Sequence, residues 1–315
     1  MATSYVLNFT EIPTVDDGIE RFEFHEYEPV ARTNLNSAGE IRINIEKQDL
    51  FILPSEAYLL FEGRLLKLDG TAYVNADAVS LTNNAQGLNQ FWYKDSSTTT
   101  VNNTWFTLRQ AYIIQKPTTK GTFSFCIPIR HIFGFCDDYN KVIYGFKHTL
   151  TLVRKSDTEA IFRNALAAAG KVNPDKISMF MSHVIPSDLE RVNLYKSIES
   201  KVTLLVTFRA RQCDSITVPQ STTLSWRLSV KTFPEKSRYI IVGFQTNKDG
   251  NQEVNFSIFD HCDLKNMYIM LNQERYPAVD YKLSFPNHQF SRAYRDPSVF
   301  SEKFYGMNDL ITQSN

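Results

Sequence analysis

Cysteine is scarce in this chain: four among 315 residues, Cys126, Cys136, Cys213 and Cys262. No two of them form a C-x-x-C pair, which excludes a zinc ribbon and a dithiol redox motif. An excess of charge of either sign is also missing, because 34 Lys and Arg meet 34 Asp and Glu. A protein whose main task is to coat nucleic acid needs a basic surplus, so that class is excluded. With 43% hydrophobic residues and no net charge, intrinsic disorder is excluded too. No apolar run reaches 18 residues, and the longest, 239–244, has the length of a strand, which removes a transmembrane helix. Residues 1–17 lack a basic head, and Asn8, Thr10 and Glu11 interrupt them, so no secretory signal is read there. The sequons at Asn8, Asn102 and Asn255 need a secretory route and carry no weight without one. A reduced intracellular or nuclear setting is expected.

What is present points to strand. There are 23 Phe and 15 Tyr against only 12 Gly, enough to bury a large core, and the length suits about two domains of roughly 150 residues. Most of the periodicity is twofold. Ile41, Ile43 and Ile45 alternate with Arg42 and Asn44, and Phe123, Phe125, Ile127 and Ile129 alternate with smaller or polar residues. The same pattern runs through 144–152, through Val202, Leu204, Val206 and Phe208, and through Leu224, Trp226, Leu228 and Val230. Each run places an apolar row on one side of a sheet and a polar row on the other, as an antiparallel sandwich requires. The run 239–244 reads as a strand covered on both faces.

Turn signals separate the runs. Asp69-Gly70 and Asp249-Gly250 fit hairpin tips, and Pro54, Pro117, Pro219 and Pro234 are expected between strands. Ser156-Asp157-Thr158-Glu159 is a capping box ahead of an alanine-rich run, predicting a helix over 160–169 that stops at Gly170. Ser187-Asp188-Leu189-Glu190 repeats the device, with Leu189, Val192, Tyr195 and Ile198 on one face, and a strand is expected over 176–183. The fold expected is all-β: two β-sandwiches in tandem with short helices between them. The division falls into 1–185, with a helical insertion near 157–169, and 186–315, opening on a linker helix.

The sequence offers little chemistry. It has no phosphate-cradling G-x-x-x-x-G-K-[ST] or G-x-G-x-x-G loop and no G-x-S-x-G elbow. Its six histidines, His25, His131, His148, His183, His261 and His288, form no H-x-H or H-E-x-x-H pair, which counts against a metal-dependent jelly-roll enzyme. Cys126 and Cys136 bracket His131 at intervals of five, wider than zinc ligand pairs, and Cys126 reads as a small hydrophobe in a strand. His131 and His148 read as satisfied core or interface residues. Asp137-Asp138 marks a turn, and Asp260-His261-Cys262-Asp263 precedes a strand over 266–271. Arg209-Ala210-Arg211 and the basic residues of 290–295 could touch phosphate, but at zero net charge they read as solvated strand ends or a polar intersubunit rim, so nucleic-acid contact is weak. No catalytic, cofactor-binding or metal-ligating residue is assigned, and no cofactor is expected.

Several short stretches carry a resemblance. They are His131-Ile132-Phe133-Gly134-Phe135-Cys136, Val142-Ile143-Tyr144-Gly145, Arg211-Gln212-Cys213-Asp214, Val218-Pro219-Gln220-Ser221, Arg275-Tyr276-Pro277-Ala278-Val279-Asp280-Tyr281 and Ser284-Phe285-Pro286-Asn287. In this order the chain, from about Ile41 onwards, resembles the double jelly-roll capsid proteins of Polinton-like elements, adintoviruses and related eukaryotic DNA viruses. The resemblance implies two jelly rolls side by side, a homotrimer forming a pseudo-hexagonal capsomer, and contacts with other capsid proteins in a virion shell. It implies no enzymatic activity. Two departures accompany it: the sequence skips part of the family pattern between Asn84 and Gln90, and it stops at Asn315 ahead of the closing strands of the second jelly roll. The expectation is a truncated or domesticated genome-integrated copy, within the virion if it assembles and otherwise inside the cell. The competing reading is a non-viral β-sandwich that binds carbohydrate or protein, with an aromatic platform around Phe91-Trp92-Tyr93. A jelly-roll enzyme would need converging carboxylates or histidines.

Overall fold

The computed structural model describes residues 18–31, 35–36, 39–47, 49–71, 79–81, 121–163, 165–203, 205–228, 237–256 and 258–305. Among them, strands dominate the first two hundred positions: β1 (Ile19–Tyr27), β2 (Glu40–Ile45), β3 (Phe51–Lys67), β4 (Val79–Leu81), β5 (Thr122–Pro128), β6 (His148–Val153), β7 (Ile161–Arg163) and β8 (Gly170–Pro186). Short helices α1 (Gly134–Asp138) and α2 (Asp157–Ala160) interrupt them, and α3 (Asp188–Glu199) follows. Beyond α3 come β9 (Ile269–Leu271), β10 (Glu274–Tyr276) and α4 (Ser291–Tyr305).

The chain groups into two compact units. The first takes the described residues of Met1–Gly63, Phe123–Arg154 and Pro174–Gln212; the second takes those of Arg64–Thr122, Lys155–Asn173 and Cys213–Asn315. A four-stranded sheet has the order β1-β8-β3-β5, and two-stranded sheets pair β2 with β6, β4 with β7 and β9 with β10.

In the first unit the β2–β6 pair lies over the inner face of the larger sheet. Ile41, Ile43 and Ile45 come from β2, Leu150 from β6, Ala57 and Leu59 from β3, and Ile177, Met179 and Met181 from β8; they form one buried cluster. The register Ile41↔Leu152, Ile43↔Leu150 puts the predicted apolar rows of both strands on one face, which makes this a β-sandwich core. At roughly 1.5–3 kcal/mol for each large apolar side chain removed from water, this cluster is the main stabilising feature of the unit. The strand expected over 176–183 is longer than its pattern, because β8 is buried on most of both faces and shows little alternation.

Strand β1 has the reverse distribution. Phe22 and Phe24 point outwards and are about half exposed, whereas Glu23, His25 and Tyr27 face the core side. A polar inward row is why the sequence pattern does not announce this strand.

The second unit has a smaller core of Leu65, Ile161 and Ala167, backed by Ala160 and Val172. Here the helix expected over 160–169 is corrected. The Ser156 hydroxyl does cap, accepting from the Thr158 amide, but the helix ends at Ala160 and Ile161 turns into β7. Ile161 is fully buried and pairs with Leu81 of β4, so burial of a β-branched side chain in a ladder outweighs the alanine run's helix preference. Gly170 then opens β8 instead of closing a helix. Buried Gln252 secures this corner: its side chain accepts from the Gly170 amide at 2.8 Å and donates to the Gly170 carbonyl at 2.7 Å and the Asp157 carbonyl at 3.2 Å.

Other expectations also change. Pro54 lies inside β3 rather than between strands. The runs 202–209 and 224–228 contain no strand among their described residues, and their apolar side chains are exposed, Leu205 by 86%. The run 239–244 is not a doubly covered strand: Tyr239, Ile240 and Ile241 are exposed, and among the described residues only Phe244 of this run bridges, to Asp260. Alternation encodes a face but not a partner strand, and without a partner a run gains nothing from extension. Both Asp-Gly turns form, with Gly70 at φ 87° and Gly250 at φ 72°. The stretch from Asn84 to Gln90, Phe91-Trp92-Tyr93, Pro117 and Pro234 lie outside the described residues.

Candidate functional site

The first unit brings together two of the sequence stretches that looked distinctive, 131–136 and the segment ending in Arg209-Ala210-Arg211. After β5 a 3₁₀ turn over Ile129–His131 leads into α1, whose last residues are Asp137 and Asp138. The chain returns at Phe208, whose ring meets Phe135 edge-on at 5.4 Å between centroids. Arg209 then closes over α1. Its backbone amide donates to Asp138 Oδ2 at 2.6 Å, its Nε donates to both Asp138 oxygens at 2.9 Å, and a terminal nitrogen reaches Asp138 at 2.5 Å and Asp137 at 3.0 Å. Arg211 donates to the Ile132 carbonyl at 3.1 Å.

This approach needs Gly134, since a Cβ there would run into the Arg209 carbonyl. Hydrogen bonds from Arg209, followed by its positive charge, hold the Asp138 carboxyl below the usual carboxylate range. Asp137-Asp138 is therefore more than a turn marker, and Arg209 is engaged with carboxylates rather than presented to phosphate. The constellation holds two chain segments together.

A second cluster of ionisable groups lies where β1 meets β8. The His25 and His183 rings sit 4.1 Å apart between centroids. Lys47 donates to His25 Nδ1 at 3.1 Å, and His25 Nε2 stands 3.2 Å from the Glu23 carboxylate. His183 is 1% exposed and shares a hydrogen bond of 3.0 Å with the Tyr27 hydroxyl through Nε2. Burial, then the nearby His25 and Lys47, push the His183 imidazole down to about 4. An open groove of about 690 Å³ adjoins Tyr27 and Lys47 and carries the carboxylates of Glu28, Glu46 and Asp49. No sequence signal announces this pair, because the two histidines lie 158 positions apart and fall in no spacing motif.

The remaining candidates are dispersed. Cys126 is exposed while Cys136 is buried, and burial pushes the Cys136 thiol up to about 11, far from the thiolate a metal needs. His131 and His148 are both held below the usual histidine range by burial. Asp260 receives Lys248 at 3.0 Å and the Thr246 amide at 2.7 Å, which ties a loop rather than forming a carboxylate pair. Arg292 donates to the carbonyls of Asp280 and Val279. Among the described residues no three His, Cys, Asp or Glu gather as a metal site, and no helix is long and apolar enough to cross a membrane.

Comparison with protein families gives one match: the model of the double jelly roll-like domain covers residues 55–313. A search of curated proteins finds no match to the chain.

Proposed function

The chain belongs to the double jelly roll-like domain family, and from that premise we propose that it is a structural capsid protein without enzymatic activity, of the kind carried by Polinton-like elements and adintoviruses. In this reading its partners are copies of itself, arranged as trimeric pseudo-hexagonal capsomers, and other proteins of the shell. Its place is the virion where it assembles and the interior of the cell otherwise. The two jelly rolls divide near residue 186, with α3 as linker.

The observation that carries the reading is the family match, which spans most of the chain. The sandwich core of the first unit supports it, since a shell subunit needs a rigid body. Exposed apolar side chains support it as well: Leu189, Val192 and Ile198 of α3, and Leu205, Phe208 and Trp226 beyond it, are all more than a third exposed. Surfaces of that kind mark contact with other protein. Zero net charge removes the general repulsion that would oppose packing many copies together.

Mass photometry with negative-stain microscopy on the purified chain tests the proposal. Trimers or larger particles are the expected result. A species that stays monomeric at every concentration contradicts it and favours a monomeric binding module.

A further inference from the structure

The histidine cluster has a construction that the capsid reading does not use. Glu23, His25 and Tyr27 face inwards from β1, and the antiparallel register sets Glu23 opposite His183 and His25 opposite Met181 of β8. His25 has both ring nitrogens committed. Nδ1 accepts from the Lys47 ammonium, and Nε2 points to the Glu23 carboxylate.

His183 has no more room. Its Nε2 is taken by Tyr27, and its buried Nδ1 has no partner among the described residues. In the neutral ring Nδ1 can be a bare lone pair, but in the protonated ring it must be an N–H, and a buried N–H without an acceptor is costly.

We propose that the His25–His183 pair is an acid-release latch for β1: the strand stays on β8 while the buried His183 ring carries one proton, and a second proton on His183 frees it. Among the described residues, every charged group that acts on His183 belongs to β1 or to the connection from β2 to β3. Lys47 and His25 oppose its protonation, and Glu23 and Asp49 favour it less strongly. Among the described residues no charged group of β3 acts on it. Releasing β1 removes Glu23, His25 and Tyr27 together and returns His183 to water, where the extra proton is accepted freely.

The direction with pH follows. The folded state holds His183 at about 4 against an ordinary value of 6.5, so the latch is fully closed above pH 6.5 and weakens steadily as pH falls towards 4. His148 has the same sign, but it lies on β6 in the other sheet of the sandwich. The readout must therefore be local to β1.

Hydrogen exchange on the full-length chain supplies it, following peptides of β1 with rates corrected for the intrinsic effect of pH. Between pH 7.5 and pH 5.0 the opening constant of β1 should rise about thirtyfold, the ratio set by the two His183 values. His183→Gln should flatten that dependence whatever its absolute protection. An equal rise in wild type and variant overturns the proposal. If His183→Gln does not fold, the ring of His183 is followed by NMR in the wild type. A ring that stays neutral at pH 5.5 while β1 is protected supports the latch, and one that titrates near 6.5 with β1 still protected overturns it.

Discussion

Arg209 binds through its backbone amide and its guanidinium to Asp137 and Asp138, 72 and 71 positions earlier in the chain. A planar fork fits a carboxylate in a way an ammonium cannot. Arg209→Lys should therefore cost about 1–2 kcal/mol of stability, read by urea unfolding, because the charge survives and the paired geometry does not. Gly134→Ala should cost about 1–3 kcal/mol in the same experiment, since a backbone carbonyl has to move to admit the methyl group. Asp138 contributes in the same pH sense as His183, but over a more acidic range. Its carboxyl is held below its ordinary value of 3.8, so its share of stability is present above that value and is lost as pH falls through the lowered one. At this scale the sequence is only partly legible. The adjacent acids announce a turn, but nothing local names an arginine 71 positions away. Likewise, no spacing rule predicts that His25 will lie on His183.

Single elements were legible where one face is apolar and the other polar. β2 and β6 form with the predicted rows facing the core, and the Ser156 capping oxygen is where the box places it. The failures have physical causes. β1 turns polar groups inwards, β8 is covered on both faces, and the alanine run after α2 yields to burial of Ile161. Gln252 carries that corner, and replacing it by alanine leaves the Gly170 amide and carbonyl without their side-chain partner. Gln252→Ala should lower stability by about 2–3 kcal/mol, measured by thermal or urea unfolding.

α3 forms where its capping signal lies, yet no residue of it is buried. Within its apolar row Tyr195 packs against Phe51 and Tyr144, while Leu189 and Val192 remain exposed. Leu189→Ser with Val192→Ser should accordingly change unfolding of the chain by less than about 0.5 kcal/mol, whereas Tyr195→Ala should cost about 1 kcal/mol through its two ring contacts. Periodicity thus locates an apolar helix face without saying what it packs against.

For the molecule as a whole, composition excluded more than it identified. Neutral charge, histidines in no spacing motif and unpaired cysteines counted in the sequence against nucleic-acid coats, metal motifs and redox motifs, and the family match over residues 55–313 supplied the architecture. The all-β character was readable from alternation in the first unit. The alternating runs 202–208 and 224–228 and the continuous apolar run 239–243 form no strand among the described residues, so pattern alone overestimated the extent of sheet. The exposed apolar rows in these stretches and on α3 are what the capsid reading assigns to contact between copies.

That reading stands or falls on association. Sedimentation velocity across a hundredfold range of concentration, at neutral pH and ordinary ionic strength, measures it directly. A species of three times the 36.3 kDa chain mass is expected, with larger assemblies as concentration rises. A single species of 36.3 kDa throughout the range would contradict it.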